Sequence, residues 1–143
     1  MKKIVYAVVF AAFILVLSGC VTSTVTPVVR YDKNTKFTSN GNMVIADIEA
    51  TNYTSYLFGL FPIVGGRHTR PNAWQYNMWE DTVSDRKTRS MMNWYAKRVL
   101  KGDGIENVSI KHDTIGWPTL WIVSWRTVEA KAQVVKYTAP KKK

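Results

Sequence analysis

The hydrophobic positions beyond residue 42 predict one helix and several strands. Apolar and polar residues alternate over 44–51, which is typical of a half-buried strand. Over 83–101, apolar residues recur at helical spacing and basic residues lie between them, so a helix is predicted there. Thr82 is its expected N-cap residue, and Gly102 is expected to end it.

The other apolar segments extend the sheet. Strands are predicted over 105–110 and 119–126, and alternation over 128–135 predicts a fourth strand or a continuation of the third. Segment 56–66 contains a proline and three glycines, which disfavour a helix, so a buried crossover or short strands are expected. The predicted fold is therefore α+β, with one helix packed on a small, mainly antiparallel sheet of three to four strands.

The N-terminus has the layout of a secretory signal. Two lysines precede an apolar run of 14 residues, 4–17, which is shorter than the ~20 residues that a membrane-spanning helix needs. The sequence Leu-Ser-Gly-Cys overlaps the end of this run at 17–20. Its cysteine, Cys20, is the only one in the chain, which excludes an internal disulfide and a cysteine-rich zinc site.

This tetrapeptide resembles the lipobox of bacterial lipoproteins. The resemblance implies that Cys20 carries a diacylglycerol on its thiol and an N-acyl chain, with no other cofactor, after cleavage of a signal peptide, 1–19. Val21, where an aspartate would stand in proteins kept in the inner membrane, implies sorting to the outer membrane, facing the periplasm. A signal anchor with an unmodified Cys20 is the alternative.

The predicted organisation after the signal peptide has three parts. The acylated cysteine and a flexible tether occupy 20–42, which is rich in Thr and Ser and contains one short β segment at 28–31. A single domain follows over 43–138, and a loose basic tail occupies 139–143.

The domain also resembles, loosely, the small TRL-like lipoproteins of bacterial envelopes. The matching pieces are Leu-Phe-Gly-Leu at 57–60, the helix up to Leu100, Ile-Glu-Asn-Val at 105–108 and Val-Val-Lys at 134–136. The insert 67–81, which is rich in Trp, Asn and Arg, departs from that pattern. The resemblance implies an envelope location and carries no activity.

Among the features of the domain, the tryptophans point most strongly to a binding function. The chain has six, and exposed indoles spaced along a strand can stack on sugar rings, which would make a glycan-binding module. The alternative is that the insert folds over them and forms a small second core. The candidate glycan-binding residues are Trp74, Trp79, Trp117, Trp121, Trp125, Arg67 and Arg70.

The charge is strongly basic, with 20 Lys+Arg against 10 Asp+Glu. A secreted, anchored protein rarely meets nucleic acid, so the expected polyanions are those of the envelope. Near an anionic membrane each basic residue gains ~1 kcal/mol. The alternative is an ordinary solvated face. The basic positions concerned are Arg86, Lys87, Arg89, Lys97, Arg98 and the tail at Lys141–Lys143.

The sequence gives little support for a catalytic function. His68 and His112 lack the spacing of metal ligands, and the adjacent Glu80 and Asp81 would point apart. A hydrolase using one histidine with a nearby carboxylate is an alternative, but no nucleophile or phosphate-binding motif occurs. The sequence therefore predicts a non-catalytic, metal-free, lipid-anchored envelope lipoprotein that binds or scaffolds. Its expected partners are the membrane and either peptidoglycan or an envelope protein.

Overall fold

The computed structural model describes residues 23–32, 36–116 and 122–138. Within these ranges one helix lies on an antiparallel sheet of six strands. The strands are β1 (Thr24–Arg30), β2 (Met43–Leu57), β3 (Phe61–Gly66), β4 (Tyr76–Met78), β5 (Gly104–Ile115) and β6 (Val123–Lys136). The helix, α1, spans Asp85–Arg98 and connects β4 to β5. Residues 1–22, including Cys20, and Trp117, Trp121 and the tail 139–143 lie outside the described ranges.

The central strand is β2, which pairs with one strand along one edge and with two strands along the other. β6 pairs with the whole of β2 on one side, and β5 pairs with β6 at the outer edge. On the other side β1 pairs with the first part of β2 and β3 with its last part, followed outward by β4. β1 and β3 therefore lie end to end, and a Cβ on Gly66 would collide with the hydroxyl and backbone nitrogen of Ser23.

The core lies between α1 and one face of the sheet. Residues at alternate positions of β2 and β6 point toward the helix, and most of them are alanines, which leave room for the fully buried Met91 and Met92. The core cluster consists of Val25, Ala46, Ile48, Ala50, Met91, Met92, Tyr95, Ala96, Ala130, Ala132 and Val134.

The helix begins later than the sequence predicts. Ser84, not Thr82, is the N-cap residue, and its side chain accepts a hydrogen bond from the backbone N–H of Lys87. Thr82 is buried beneath the sheet instead. The helix ends at Arg98, and Gly102 lies four residues further on, where its N–H donates to a carbonyl of the last turn.

The predicted fold class is wrong in the size of the sheet and in the share of strand. The sheet has six strands, because segments interpreted as a crossover, an insert and a tether each contribute one. The third and fourth predicted strands are one strand in the part that is described, β6. For segment 56–66 the expectation of a buried crossover is wrong and that of short strands is confirmed, since the segment forms the end of β2, a turn and β3.

The interval predicted as a tether, 20–42, contains β1. This strand starts four residues before the expected β segment and pairs with β2 from Thr24 to Arg30. Pro27 is tolerated because β1 is an outer strand with a register shift beside the proline, so the missing N–H costs no ladder bond inside the sheet. Ser23 is 1% exposed, so the folded domain begins at or before this residue.

Candidate functional site

The face of the sheet opposite α1 is covered by no helix among the described residues, and we call it the open face. Strand register places the residues of this face in rows that run across the strands. At one end the rows are polar: Lys111, Glu129 and Thr51 form one, and Lys131 and Glu49 lie in the next. Lys131 Nζ lies 2.5 Å from Glu49 Oε1, and this hydrogen bond raises the pKa of Lys131.

The other end of the open face is apolar. One row crosses five strands, from Ile115 on β5 through Trp125, Ser55 and Val64 to Met78 on β4. Ile115 and Met78 are each 55% exposed, and Trp125 is half-buried in the middle of the row. The open face therefore changes from charged to apolar along the strands.

The turn between β2 and β3 extends this apolar end. Phe58, Leu60 and Phe61 are between 60% and 74% exposed, and Phe58 has a left-handed backbone with φ 53°. Large apolar side chains that are exposed to water do not stabilise a folded monomer, and clusters of them are typical of contact surfaces.

A partly buried contact supports this turn from the side of α1. The hydroxyl of Tyr56 donates a hydrogen bond of 2.6 Å to Asp81 Oδ1, and burial together with Asp81 raises the pKa of Tyr56. The guanidinium of Arg126 lies 4.4 Å from the centre of the Tyr56 ring and donates to the carbonyl of Gly59. The side chain of Arg126 thereby holds the turn by a hydrogen bond to the backbone of the turn.

A further group of large exposed side chains lies at one edge of the sheet, and we call it the aromatic edge. It is formed by Trp74, Tyr76, Met78, Trp79 and Phe61. It lies on and beside β4, the outer strand of the sheet, and its two tryptophans are 86% and 69% exposed. Trp74 and Trp79 are therefore not buried in a second core. Trp121, which the insert was expected to cover in that alternative, lies outside the described residues.

Two candidate arginines lie in the loop between β3 and β4. Arg67 donates to Gln75 Oε1 at 2.8 Å and to Thr69 Oγ1 at 3.1 Å, which orders the loop, and Arg70 is exposed. The structure thus brings Arg67, Arg70 and Trp74 together in one loop.

Trp125 does not join this group. β2 and β3 lie between its strand and β4, and at ~4.8 Å per strand Trp125 is about 14 Å from the residues of β4. Trp117 and Trp121 lie outside the described residues. The sequence did not indicate Tyr76, Met78 and Phe61 as site residues, because apolar side chains are normally buried and the exposure of these three is visible only in the folded sheet.

The carboxylates and histidines are dispersed. Glu80 pairs with Lys87 at 2.7 Å, and this hydrogen bond lowers the pKa of Glu80, whereas the neighbouring Asp81 binds a tyrosine hydroxyl. His112 Nε2 lies 2.7 Å from Asp85 Oδ1 at an exposed position. Burial lowers the pKa of His68, with Lys87 as the next cause. In the described part of the chain, no three His, Cys, Asp or Glu side chains form a group that could hold a metal ion.

The basic face of the helix is exposed, apart from one residue. Lys87 is half-buried against Glu80, whereas the other basic side chains of α1 face solvent. These are Arg86, Arg89, Lys97 and Arg98.

No family model, curated protein or solved structure matches the chain. Among the described residues, no helix has both the length and the apolar character needed to cross a membrane.

Proposed function

We propose that this chain is a non-catalytic lipoprotein of the bacterial envelope, anchored through Cys20 to the outer membrane and facing the periplasm, with a binding or scaffolding role. The observation that carries the proposal is the position of the only cysteine, directly after Leu-Ser-Gly at the end of a short apolar run. A single acyl chain binds a membrane only marginally, whereas two or more hold stably. The diacylglycerol and N-acyl chain proposed for Cys20 would therefore keep the domain at the membrane.

Two features of the domain support a binding role. The open face and the aromatic edge carry large apolar side chains that are more than half exposed, as contact surfaces do. Glu80 and Asp81, the adjacent carboxylates, hold separate partners, which supports a non-catalytic role for the pair.

The anchor is tested by replacing Cys20 with alanine in cells fed labelled palmitate. The wild-type chain is expected to take up label and to lose residues 1–19, whereas Cys20→Ala takes up none and keeps its signal peptide or becomes soluble. Ser18→Ala is the matched control, because it keeps a small residue in the lipobox and leaves the thiol in place. Label on Cys20→Ala, or none on the wild type, would exclude the anchor.

A glycan-binding module is the second candidate, with peptidoglycan as the expected ligand. It is supported by the exposure of Trp74 and Trp79 and by the two arginines, Arg67 and Arg70, in the loop before them. Exposed indoles can stack on sugar rings, and guanidinium groups can bind the carboxylates of peptidoglycan.

This candidate predicts that the chain from Val21 onward co-sediments with purified sacculi at both low and high salt. The Trp74→Ala/Trp79→Ala variant is expected to lose that binding, whereas Trp94→Ala, on α1, keeps it. Salt screens exposed charge pairs over ~8–10 Å at 0.1–0.15 M, so binding that disappears with salt alone would be electrostatic and not stacking.

A further inference from the structure

The start of the folded domain is fixed beside the loop that precedes the aromatic edge. The carbonyl of Ser23 accepts a hydrogen bond of 2.9 Å from the N–H of Asn72, and the Asn72 side chain binds both the N–H and the carbonyl of Val25. The Ser23 hydroxyl donates to Asn52 Oδ1 at 2.6 Å. Gly66, against which Ser23 packs, pairs with Tyr76 of β4. Ser23 is therefore held on the β4 side of the sheet.

Chain length limits how far Cys20 can lie from Ser23. Cys20 is three residues before Ser23, and a fully extended chain spans at most ~3.6 Å per residue, so the two lie within about 11 Å. Trp74 is two residues after Asn72, which adds about 7 Å. An acylated Cys20 would thus lie within roughly 25 Å of Trp74, with no long tether between the lipid and the domain.

We propose that the aromatic edge docks on the phospholipid surface next to the acylated Cys20; this rests on the proposed lipid anchor. Trp and Tyr are enriched where a membrane meets water, because an apolar ring with a polar atom suits that layer. Met78 and Phe61 add apolar surface that is more than half exposed, and Arg70 can face anionic headgroups.

The lipid anchor explains why a small contact surface is sufficient for docking on the bilayer. Because Cys20 already holds the domain at the bilayer, docking is an intramolecular event at high effective concentration, and weak contacts add to it. The edge strand β4 then faces lipid headgroups, and β5, at the opposite edge of the sheet, faces the periplasm. Tryptophans occupied by lipid would not be free to stack on sugars, so docking and glycan binding compete for the same residues.

The test uses the full-length, acylated chain reconstituted into vesicles of phosphatidylethanolamine and phosphatidylglycerol that carry brominated acyl chains. Bromine quenches tryptophans that enter the interface. The wild type is expected to be quenched, and Trp74→Phe/Trp79→Phe is expected to lose most of this quenching, because the indoles that enter the interface are gone. Trp94→Phe, on α1, is the matched control and keeps the wild-type quenching. Circular dichroism checks that the variants are folded.

The outcomes separate docking from anchoring. A chain that carries the acyl label but is quenched equally with and without Trp74 and Trp79 overturns docking and leaves the anchor intact. Vesicle-bound chain that co-sediments with sacculi through these two tryptophans also overturns it, in favour of the glycan module. A chain without acyl label overturns the proposed function, and docking beside Cys20 with it.

A charge reversal tests the headgroup contact separately. Arg70→Glu is expected to lower the quenching in vesicles with phosphatidylglycerol and to leave it unchanged in vesicles of phosphatidylcholine alone. Equal quenching of both proteins in the anionic vesicles would exclude a headgroup contact at Arg70.

Discussion

Truncation of Met91 to alanine is expected to lower the free energy of unfolding by about 2–5 kcal/mol. Met91 is fully buried between α1 and the sheet. The sheet residues that face the helix are largely alanines, such as Ala130 and Ala132, and short side chains cannot move into the space that the thioether leaves. Urea denaturation followed by circular dichroism measures the loss as a lower midpoint with an unchanged slope.

Met78→Ala is the matched control for this substitution. It removes the same atoms from a side chain that is 55% exposed on β4, so the expected change is within about 0.5 kcal/mol. Equal losses in the two variants would mean that the helix does not pack on the sheet through Met91.

The parts of the fold that the sequence predicted are those with a strong internal period. Alternation over 44–51 marked the first half of β2, and helical spacing marked α1, whose Met92 and Tyr95 are buried in the core. In both cases the burial pattern repeats within one element, so it can be identified without knowing which element it packs against.

The additional strands could not be predicted, because partners distant in sequence define them. β1 is rich in Thr and Val, which favour strands, but Pro27 interrupts it, so the sequence predicted only a short β segment at 28–31. Pairing with β2 defines the whole strand from Thr24 to Arg30. The predicted N-cap residue was wrong for a similar reason, since a distant strand determines where its side chain lies. Thr82 fits a capping box, but its hydroxyl lies 2.7 Å from that of Thr54 on β2.

For the candidate site, the sequence identified residue types but not their surroundings. Trp74, Trp79, Arg67 and Arg70 were candidates for their chemistry alone, and only the β3–β4 pairing shows that the tryptophans are uncovered. Their nearness to Ser23 depends on the pairing of β1, in the interval expected to be a tether. A tether over 20–42 would have let the domain move tens of ångströms from Cys20, whereas a domain that starts at Ser23 is three residues from it, which is about 11 Å of fully extended chain.

Asn52→Ala is expected to destabilise the domain by about 2–4 kcal/mol, through loss of buried hydrogen bonds. Asn52 is fully buried, accepts from the Ser23 hydroxyl and donates to the carbonyl of Thr82. Alanine leaves two polar groups buried without these partners, and each costs about 1–3 kcal/mol when unsatisfied. Urea denaturation gives the loss, and Asn93→Ala, on the half-buried side of α1, is the control with an expected change within about 0.5 kcal/mol.

A double-mutant cycle shows whether this asparagine holds the start of the domain in place. Ser23→Ala alone is expected to cost less than Asn52→Ala, because the asparagine keeps its bond to Thr82. In the double variant the loss should be smaller than the sum of the two single losses, since residues that share a hydrogen bond are coupled. Strictly additive losses would mean that Ser23 does not bind Asn52 in solution.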